Sequence, residues 1–224
     1  PPPPPHAAAS YPVTIDAEVV DTTYEPINAD ERTATFTTGT VASVELVGWN
    51  FGTASPGTLV ATSGIAANAS KTFSTTATGT LSYPGGYVGA GVAASSNGWD
   101  AGTGTKAWVA NFATSGYSNI VIATSRHGGS GTGPRDWKLQ YSLNNTSWTD
   151  VEGGAYTIPA VVSVNVPETW FSFVDFALPS ALDDQANVYL RWVVTSTTSI
   201  NAGTVANTGT NRIDEVVIKG VPLP

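Results

Sequence analysis

The chain contains no cysteine and no methionine. The first absence excludes a disulfide framework, thiolate nucleophiles and thiolate metal sites. The second extends to the first position, so the expectation is a mature chain that has lost its leader, or a trimmed one. Basic residues are also scarce: 9 Lys and Arg stand against 17 Asp and Glu, for a net charge of −8. No basic stripe is left to neutralise phosphates, which excludes nucleic acid as the natural partner and disfavours an anionic membrane surface. With only 2 histidines, a zinc site of the usual kind is excluded as well. No apolar run approaches the roughly 20 residues of a membrane-spanning helix. Charged residues make up only 12% of the chain, about half the usual share.

Polarity comes instead from threonine, serine, asparagine and glycine. Threonine suits exposed strand faces, and glycine and asparagine suit turns. The 7 Trp, 8 Tyr and 7 Phe supply ample material for one core. A length of 224 residues is within reach of a single all-β sandwich.

Residues 1–10 (PPPPPHAAAS) read as a proline-rich extended arm, since such sequence forms a stiff polyproline II rod. Residues 11–224 read as one β-sandwich domain. In PVTIDAEVV, Val13, Ile15, Ala17 and Val19 point one way while Thr14, Asp16 and Glu18 point the other, a period of two. RTATFTT (32–38) and VASVELVG (41–48) form a candidate hairpin. Residues 52–82 and 84–106 are rich in small residues and weakly patterned. Further strands are expected at KAWVANF (106–112), NIVIATSRH (119–127), RDWKLQYSL (135–143), TSWTDV (146–151), AYTIPAVVSV (155–164), WFSFVDFAL (170–178), NVYLRWVVTST (187–197) and RIDEVVIKG (212–220). Asn144-Asn145 is a turn, GGSGTGP (128–134) a long hairpin loop, and LPSALDDQANV (178–188) room for one helical turn. No repeat of fixed period is present. The pattern specifies an all-β, jelly-roll-type antiparallel sandwich.

Segment 129–151, GSGTGPRDWKLQYSLNNTSWTDV, together with Phe176-Ala-Leu-Pro179, Val188-Tyr-Leu-Arg191-Trp and Asn211-Arg-Ile-Asp-Glu-Val216, resembles a β-sandwich domain of large secreted bacterial surface and matrix proteins. Some of those proteins end in a Pro-Glu-Pro sorting tail; this chain ends VPLP, without the hydrophobic helix and basic end of such a tail. The resemblance covers roughly residues 100–220. It implies the fold and a secreted or cell-surface location, and is silent on ligand.

Candidate chemistry is sparse. His127, at the mouth of the glycine loop, is the one histidine of the folded body, and reads as a solvated strand-end residue rather than a triad member. GGSGTGP lacks the Gly-Lys-Ser/Thr ending of a phosphate loop and runs into a strand. Asp214 and Glu215, as strand neighbours, face opposite sides and make a poor carboxylate pair, and Asp183-Asp184 begins a loop. No catalytic residue is assigned, and the expectation is a non-enzyme requiring no cofactor.

Three other features remain open. Sugar binding calls for exposed aromatics with polar neighbours; Trp99 with Asp100, and Tyr83 and Tyr87, lie in glycine-rich loops, although Trp99 could equally tuck over the core edge. Trp137, Trp170 and Trp192 belong to apolar strand faces. Jelly-roll carbohydrate-binding modules often hold a structural calcium between first and last strands, which here would offer Asp16, Glu18 and Asp214; ordinary solvent-face positions are the alternative. Glycosylation sequons occur at Asn68, Asn144 and Asn145.

The first twenty residues support an assembly reading. Pro1, Pro2, Pro3, Pro4 and Pro5 form a stiff arm, and Val13, Ile15, Ala17 and Val19 form an apolar strand face that a neighbouring subunit's sheet edge could accept. Such a head-to-tail contact repeats into a filament. The alternative is that this strand belongs to its own sandwich. The expectation is therefore a secreted structural or adhesive subunit that self-associates, with a carbohydrate-binding module, calcium-stabilised or not, as the other reading.

Overall fold

In the computed structural model, residues 41–160 and 167–224 are described. The alternation in VYLRWVV shows how sequence becomes layer. In this strand Val188, Leu190, Trp192 and Val194 are buried while Tyr189 and Arg191 are half-exposed, the outcome of a period-2 chain with one face against a core. The described residues form twelve strands. They are β1 (Val44–Trp49), β2 (Ser63–Gly64), β3 (Phe73–Thr75), β4 (Leu81–Ser82), β5 (Ala94–Ser96), β6 (Ala107–Phe112), β7 (Tyr117–Gly129), β8 (Asp136–Ser142), β9 (Thr149–Thr157), β10 (Phe171–Ala177), β11 (Val188–Val194) and β12 (Asn211–Pro222).

The strands form two antiparallel sheets. A five-stranded sheet runs β3-β6-β11-β8-β9, and a seven-stranded sheet runs β10-β7-β12-β1-β2 with β5 against β12 and β4 against β5. The chain crosses from one sheet to the other at almost every step, as a jelly-roll sandwich requires. Facing side chains interlock across the interior. Trp49 of β1 meets Phe73 of β3 edge-on at 5.3 Å, and His127 of β7 meets Trp137 of β8 at 5.3 Å. The Trp108 indole of β6 donates to Asn211 Oδ1 of β12 at 2.6 Å. Trp49, Trp99, Trp108, Trp137 and Trp192 are all fully buried.

Several expectations hold. Strands form where 106–112, 119–127, 135–143, 170–178, 187–197 and 212–220 are read as strands, and a 3-10 turn occupies Ser180–Leu182. The β8–β9 hairpin turns at Asn144-Asn145. Asn145 takes φ +60°, and Asn144 Oδ1 accepts the amides of Thr146 and Ser147, each at 2.9 Å, as an asparagine turn does.

Two expectations are corrected. Segment 146–151 and the start of 155–164 are not separate strands: β9 runs unbroken from Thr149 to Thr157 through Gly153 and Gly154, with a register shift against β8 absorbing the extra residues; residues 161–164 lie outside the described residues. Segment 128–134 is not a hairpin loop, because β7 and β8 lie in different sheets. It is a crossover, closed by a Gly133 amide to Ser130 carbonyl bond at 2.8 Å and pinned by Ser130 to Thr210 at 2.9 Å. A Cβ at Gly133 would lie 2.1 Å from the Thr210 carbonyl oxygen, so only glycine permits that approach. The arm (Pro1–Pro5), the strand carrying Val13, Ile15, Ala17 and Val19, and the 32–38 half of the expected hairpin lie outside the described residues.

Candidate functional site

The outward face of the five-stranded sheet gathers the polar side chains that its inward face excludes. The registers place Ser74 opposite Val109, Val109 opposite Arg191, Arg191 opposite Gln140, and Gln140 opposite Asp150. One row of five positions thus crosses all five strands. The next row along holds Asn111, Tyr189 and Ser142, about two residues or roughly 7 Å away.

This array is fixed by its own bonds. Arg191 Nε donates to Gln140 Oε1 at 2.7 Å, and Gln140 Nε2 donates to Asp150 Oδ1 at 2.5 Å. Lys138 Nζ donates to Asp150 Oδ2 at 3.0 Å. The Arg191 guanidinium lies over the Trp148 ring, 4.2 Å from its centroid, a cation–π contact that orients both groups. Lys71 Nζ reaches Asn111 Oδ1 at 3.3 Å, and Asn111 Nδ2 holds the Val188 carbonyl at 3.1 Å. The Lys138 and Gln140 hydrogen bonds hold the Asp150 carboxyl below the usual range, so it stays ionised. Partial burial lowers the Arg191 pKa, with Asp150 opposing; a guanidinium nevertheless remains charged. A preorganised lattice of donors, acceptors and one half-exposed indole suits hydrogen bonding to hydroxyl groups with an apolar ring face alongside.

The residues singled out in the sequence sit elsewhere. Trp99 is not exposed: it is 0% accessible, its indole donates to the Ser96 carbonyl at 2.7 Å, and it packs against Trp108 and Trp137 at 5.6 and 5.2 Å. It turns inward because the interior supplies both an acceptor and aromatic neighbours. Asp100 pairs with Lys106 at 3.6 Å. Tyr83 is half-buried against the core, and burial raises its pKa. Tyr87 lies under Arg126 at 4.6 Å and meets Trp170 edge-on at 5.9 Å. Each therefore answers to different neighbours, and they do not assemble into one platform. Trp137, Trp170 and Trp192 are buried as expected.

His127 is likewise not a solvated residue. It is 1% accessible and shares a hydrogen bond with the Tyr156 hydroxyl at 2.6 Å through Nδ1. Burial lowers its pKa to about 3, so the ring is neutral near pH 7. Its Nε2 has no hydrogen-bond partner among the described residues. The strand end is covered because Trp137, Tyr156 and Trp192 close over it.

Asp214 is 2% accessible. Its Oδ2 accepts the Tyr87 amide at 2.7 Å and its Oδ1 the Glu215 amide at 2.8 Å, so the carboxyl brackets the turn at 87–89 onto β12. Burial pushes its pKa up to about 6. The next residue, Glu215, takes φ +46° inside a bulge and pairs with Arg126 at 3.3 Å. Asp16 and Glu18 lie outside the described residues, and among the described residues no three acidic or histidine side chains converge on a common point. Asn68 cannot carry a glycan while folded: it is 0% accessible, and its amide is consumed by Leu46, Ala113 carbonyl and Ala113 amide bonds at 3.0, 3.0 and 2.8 Å. Asn144 and Asn145 are exposed.

Trp148, Arg191, Gln140, Tyr189, Asn111 and Lys71 escape the sequence-level search. A signal existed in WKLQYS and VYLRWVV, whose alternation puts Lys138 and Gln140, and Tyr189 and Arg191, on polar faces. What the sequence does not state is that the two polar faces belong to adjacent strands.

No family model matches the chain, and no curated protein matches it. Among solved structures, it is similar to a domain described by the words "CBM4 structure and function", at 18% identity and TM-score 0.38 over 66% of this chain and 79% of that one. It is also similar to the CBM22-2 xylan-binding domain of Paenibacillus barcinonensis Xyn10C, at 12% identity and TM-score 0.43 over 66% and 91%. A third likeness is the K1 cleaved adhesin domain of Lys-gingipain from Porphyromonas gingivalis W83, at 14% identity and TM-score 0.38 over 66% and 90%. Likeness of this degree says nothing about the ligand, activity or location of this chain.

Proposed function

We propose that this chain is a non-enzymatic, extracellular adhesive module that binds carbohydrate through the outward face of its five-stranded sheet. The observation that carries the reading is the array in which Arg191 bridges Trp148 and Gln140, beside Tyr189 and Asn111. Sugar rings need a flat apolar surface and convergent donors and acceptors, and this face offers both without folding cost at the moment of binding. Asp150, ionised and tied to Lys138 and Gln140, is a positioning group and unsuited to act as a general acid.

A glycan array followed by calorimetry tests the reading. Trp148→Ala should weaken any glycan bound by the parent chain by about tenfold or more, as loss of a stacking aromatic does, while the melting curve stays in place. An array without a hit, or a hit indifferent to Trp148, refutes it.

Head-to-tail assembly through residues 1–20 is a second proposal. Its support is that β9 and β10 each pair on one side alone among the described residues, leaving edges open to strand addition. Size-exclusion chromatography of chains with and without residues 1–20 decides it; two monomers at high concentration refute it. Calcium stabilisation through Asp214 is tested by a thermal melt with and without chelator, an unchanged midpoint removing it.

A further inference from the structure

The placement of the positive charges bears on the chemical class of the ligand. Of the 9 basic residues, Arg32 lies outside the described residues. Four of the others are paired: Lys106 with Asp100, Arg126 with Glu215, Arg135 with Asp136, and Lys138 with Asp150. On the seven-stranded sheet Lys219 stands opposite Glu45 in the register, and Arg212 is half-buried in β12. Of the four cations without an ion pair among the described residues, Lys71 and Arg191 sit together on the outward face of the five-stranded sheet. Neither has a carboxylate within 4 Å among the described residues.

Their remaining hydrogen-bond capacity is specific. Arg191 commits only Nε, to Gln140; its two terminal nitrogens keep their donors, already oriented by Trp148 beneath. That fork matches a carboxylate in bidentate fashion. Lys71 gives one bond, to Asn111, and keeps two donors. Asp150, the carboxylate in the same row, is neutralised by Lys138 at 2.9 Å. A chain of net charge −8 thus presents one face with two cations outside any ion pair among the described residues, although Asp150 still acts on Arg191 at longer range. On an acidic protein two neighbouring cations with free donors suit an anion.

Resting on the carbohydrate reading, we infer that the ligand is an acidic polysaccharide carrying carboxylates, a uronic-acid polymer, with one carboxylate docked on the Arg191 fork, a sugar ring beside Trp148 or Tyr189, and Lys71 serving a further carboxylate or ring oxygen. The net charge of −8 opposes a polyanion elsewhere, so attraction centres on these two cations and weakens with salt.

The test is calorimetry of the intact chain with oligogalacturonate, with its methyl ester and with neutral xylan. The acid form should bind about tenfold more tightly than its ester, as expected for one charge-assisted bidentate contact. Arg191→Gln should abolish the acid's advantage over its ester, so that the two bind equally; Lys71→Gln should narrow that advantage by less. Circular dichroism melts of both variants verify folding. Equal binding of acid, ester and xylan overturns the charge inference and leaves the carbohydrate reading standing. An Arg191→Gln variant that loses acid and ester equally also overturns it. No binding of any of the three, with a blank glycan array, overturns both.

Discussion

Two clusters of aromatic and polar side chains lie on opposite sides of the same strands. The inner one joins Trp108, Trp137, Trp192, His127, Tyr156 and Asn211; the outer one joins Trp148, Tyr189, Arg191 and Gln140. Strands β8 and β11 feed both, with neighbouring residues parted by one step of alternation. Inside, polar atoms must satisfy each other or go without. Asn211 accepts from the Trp108 indole and donates to the Gly128 carbonyl, at 2.6 and 2.9 Å, while Trp192 Nε1 and His127 Nε2 have no hydrogen-bond partner among the described residues. Outside, the groups hold each other in place and still present free donors. The difference teaches that burial commits the inner cluster to the core while the outer one keeps donors available to solvent, although the residue types are nearly the same.

Breaking the inner cluster should have the largest effect. Trp192→Ala removes a fully buried indole and should cost about 3–5 kcal/mol in a urea titration, whereas Tyr189→Ala, three positions earlier on the outer face, should cost under about 1 kcal/mol. Equal losses would erase the distinction. Next, Asn211→Ala strips partners from the Trp108 indole and the Gly128 carbonyl and should cost about 2–4 kcal/mol. A loss below about 1 kcal/mol would mean that water enters and replaces the amide.

The pH profile sharpens the inner side further. His127 is held at about 3 against an unfolded value near 6.5. Below about pH 6.5 the unfolded chain therefore takes up a proton that the folded chain refuses, and stability falls as pH falls. Asp214 is raised to about 6 from 3.8. Between those values the folded chain keeps the proton, so stability falls as pH rises. The two slopes oppose each other, and the contribution of this pair should be nearly flat from about pH 4 to 6. Asp136 and Asp150, both lowered by their cationic and hydrogen-bond partners, add to the loss of stability below that window. In Asp214→Asn the His127 slope should emerge, with about 2–3 kcal/mol lost between pH 6 and 4. In His127→Phe the slope should reverse. Chemical denaturation at several pH values reads slopes rather than heights, so the variants' own destabilisation does not interfere. Parallel profiles for all three chains would show that neither group is shifted.

The smallest stability effect belongs to the outer cluster. Lys138→Ala breaks an exposed pair with Asp150 and should cost at most about 1 kcal/mol, while loosening Asp150 and therefore Gln140. A cost above about 2 kcal/mol in the same urea titration would make this face a contributor to stability.

Much of this was legible beforehand. The NVYLRWVV strand, the Asn144-Asn145 turn and the strand ending RIDEVVIKG each carry a local signal, and each stands where the pattern puts it. The candidate site was less legible. Trp99 in NGWDAG looks like an exposed loop tryptophan, yet an acceptor at Ser96 and two aromatic neighbours draw it in. Trp148, the ring that Arg191 lies over, hides in a short run after the turn. The glycine segment before β8 would look the same as a hairpin or as a crossover, because loop composition reports flexibility and not which sheet comes next.

The sequence by itself determined the class of protein: alternation dictated strands, turn residues dictated where they end, and the lack of cysteine and basic stripes excluded whole kinds of chemistry. These are local or global averages, which need no knowledge of neighbours. Only the tertiary structure decided that His127 is interior, that Asp214 brackets a turn more than a hundred residues away, and that Arg191 meets Trp148 across an intervening strand. Those facts depend on inter-strand register, and register is settled when two sheets bury their apolar faces against each other, a condition no single segment contains.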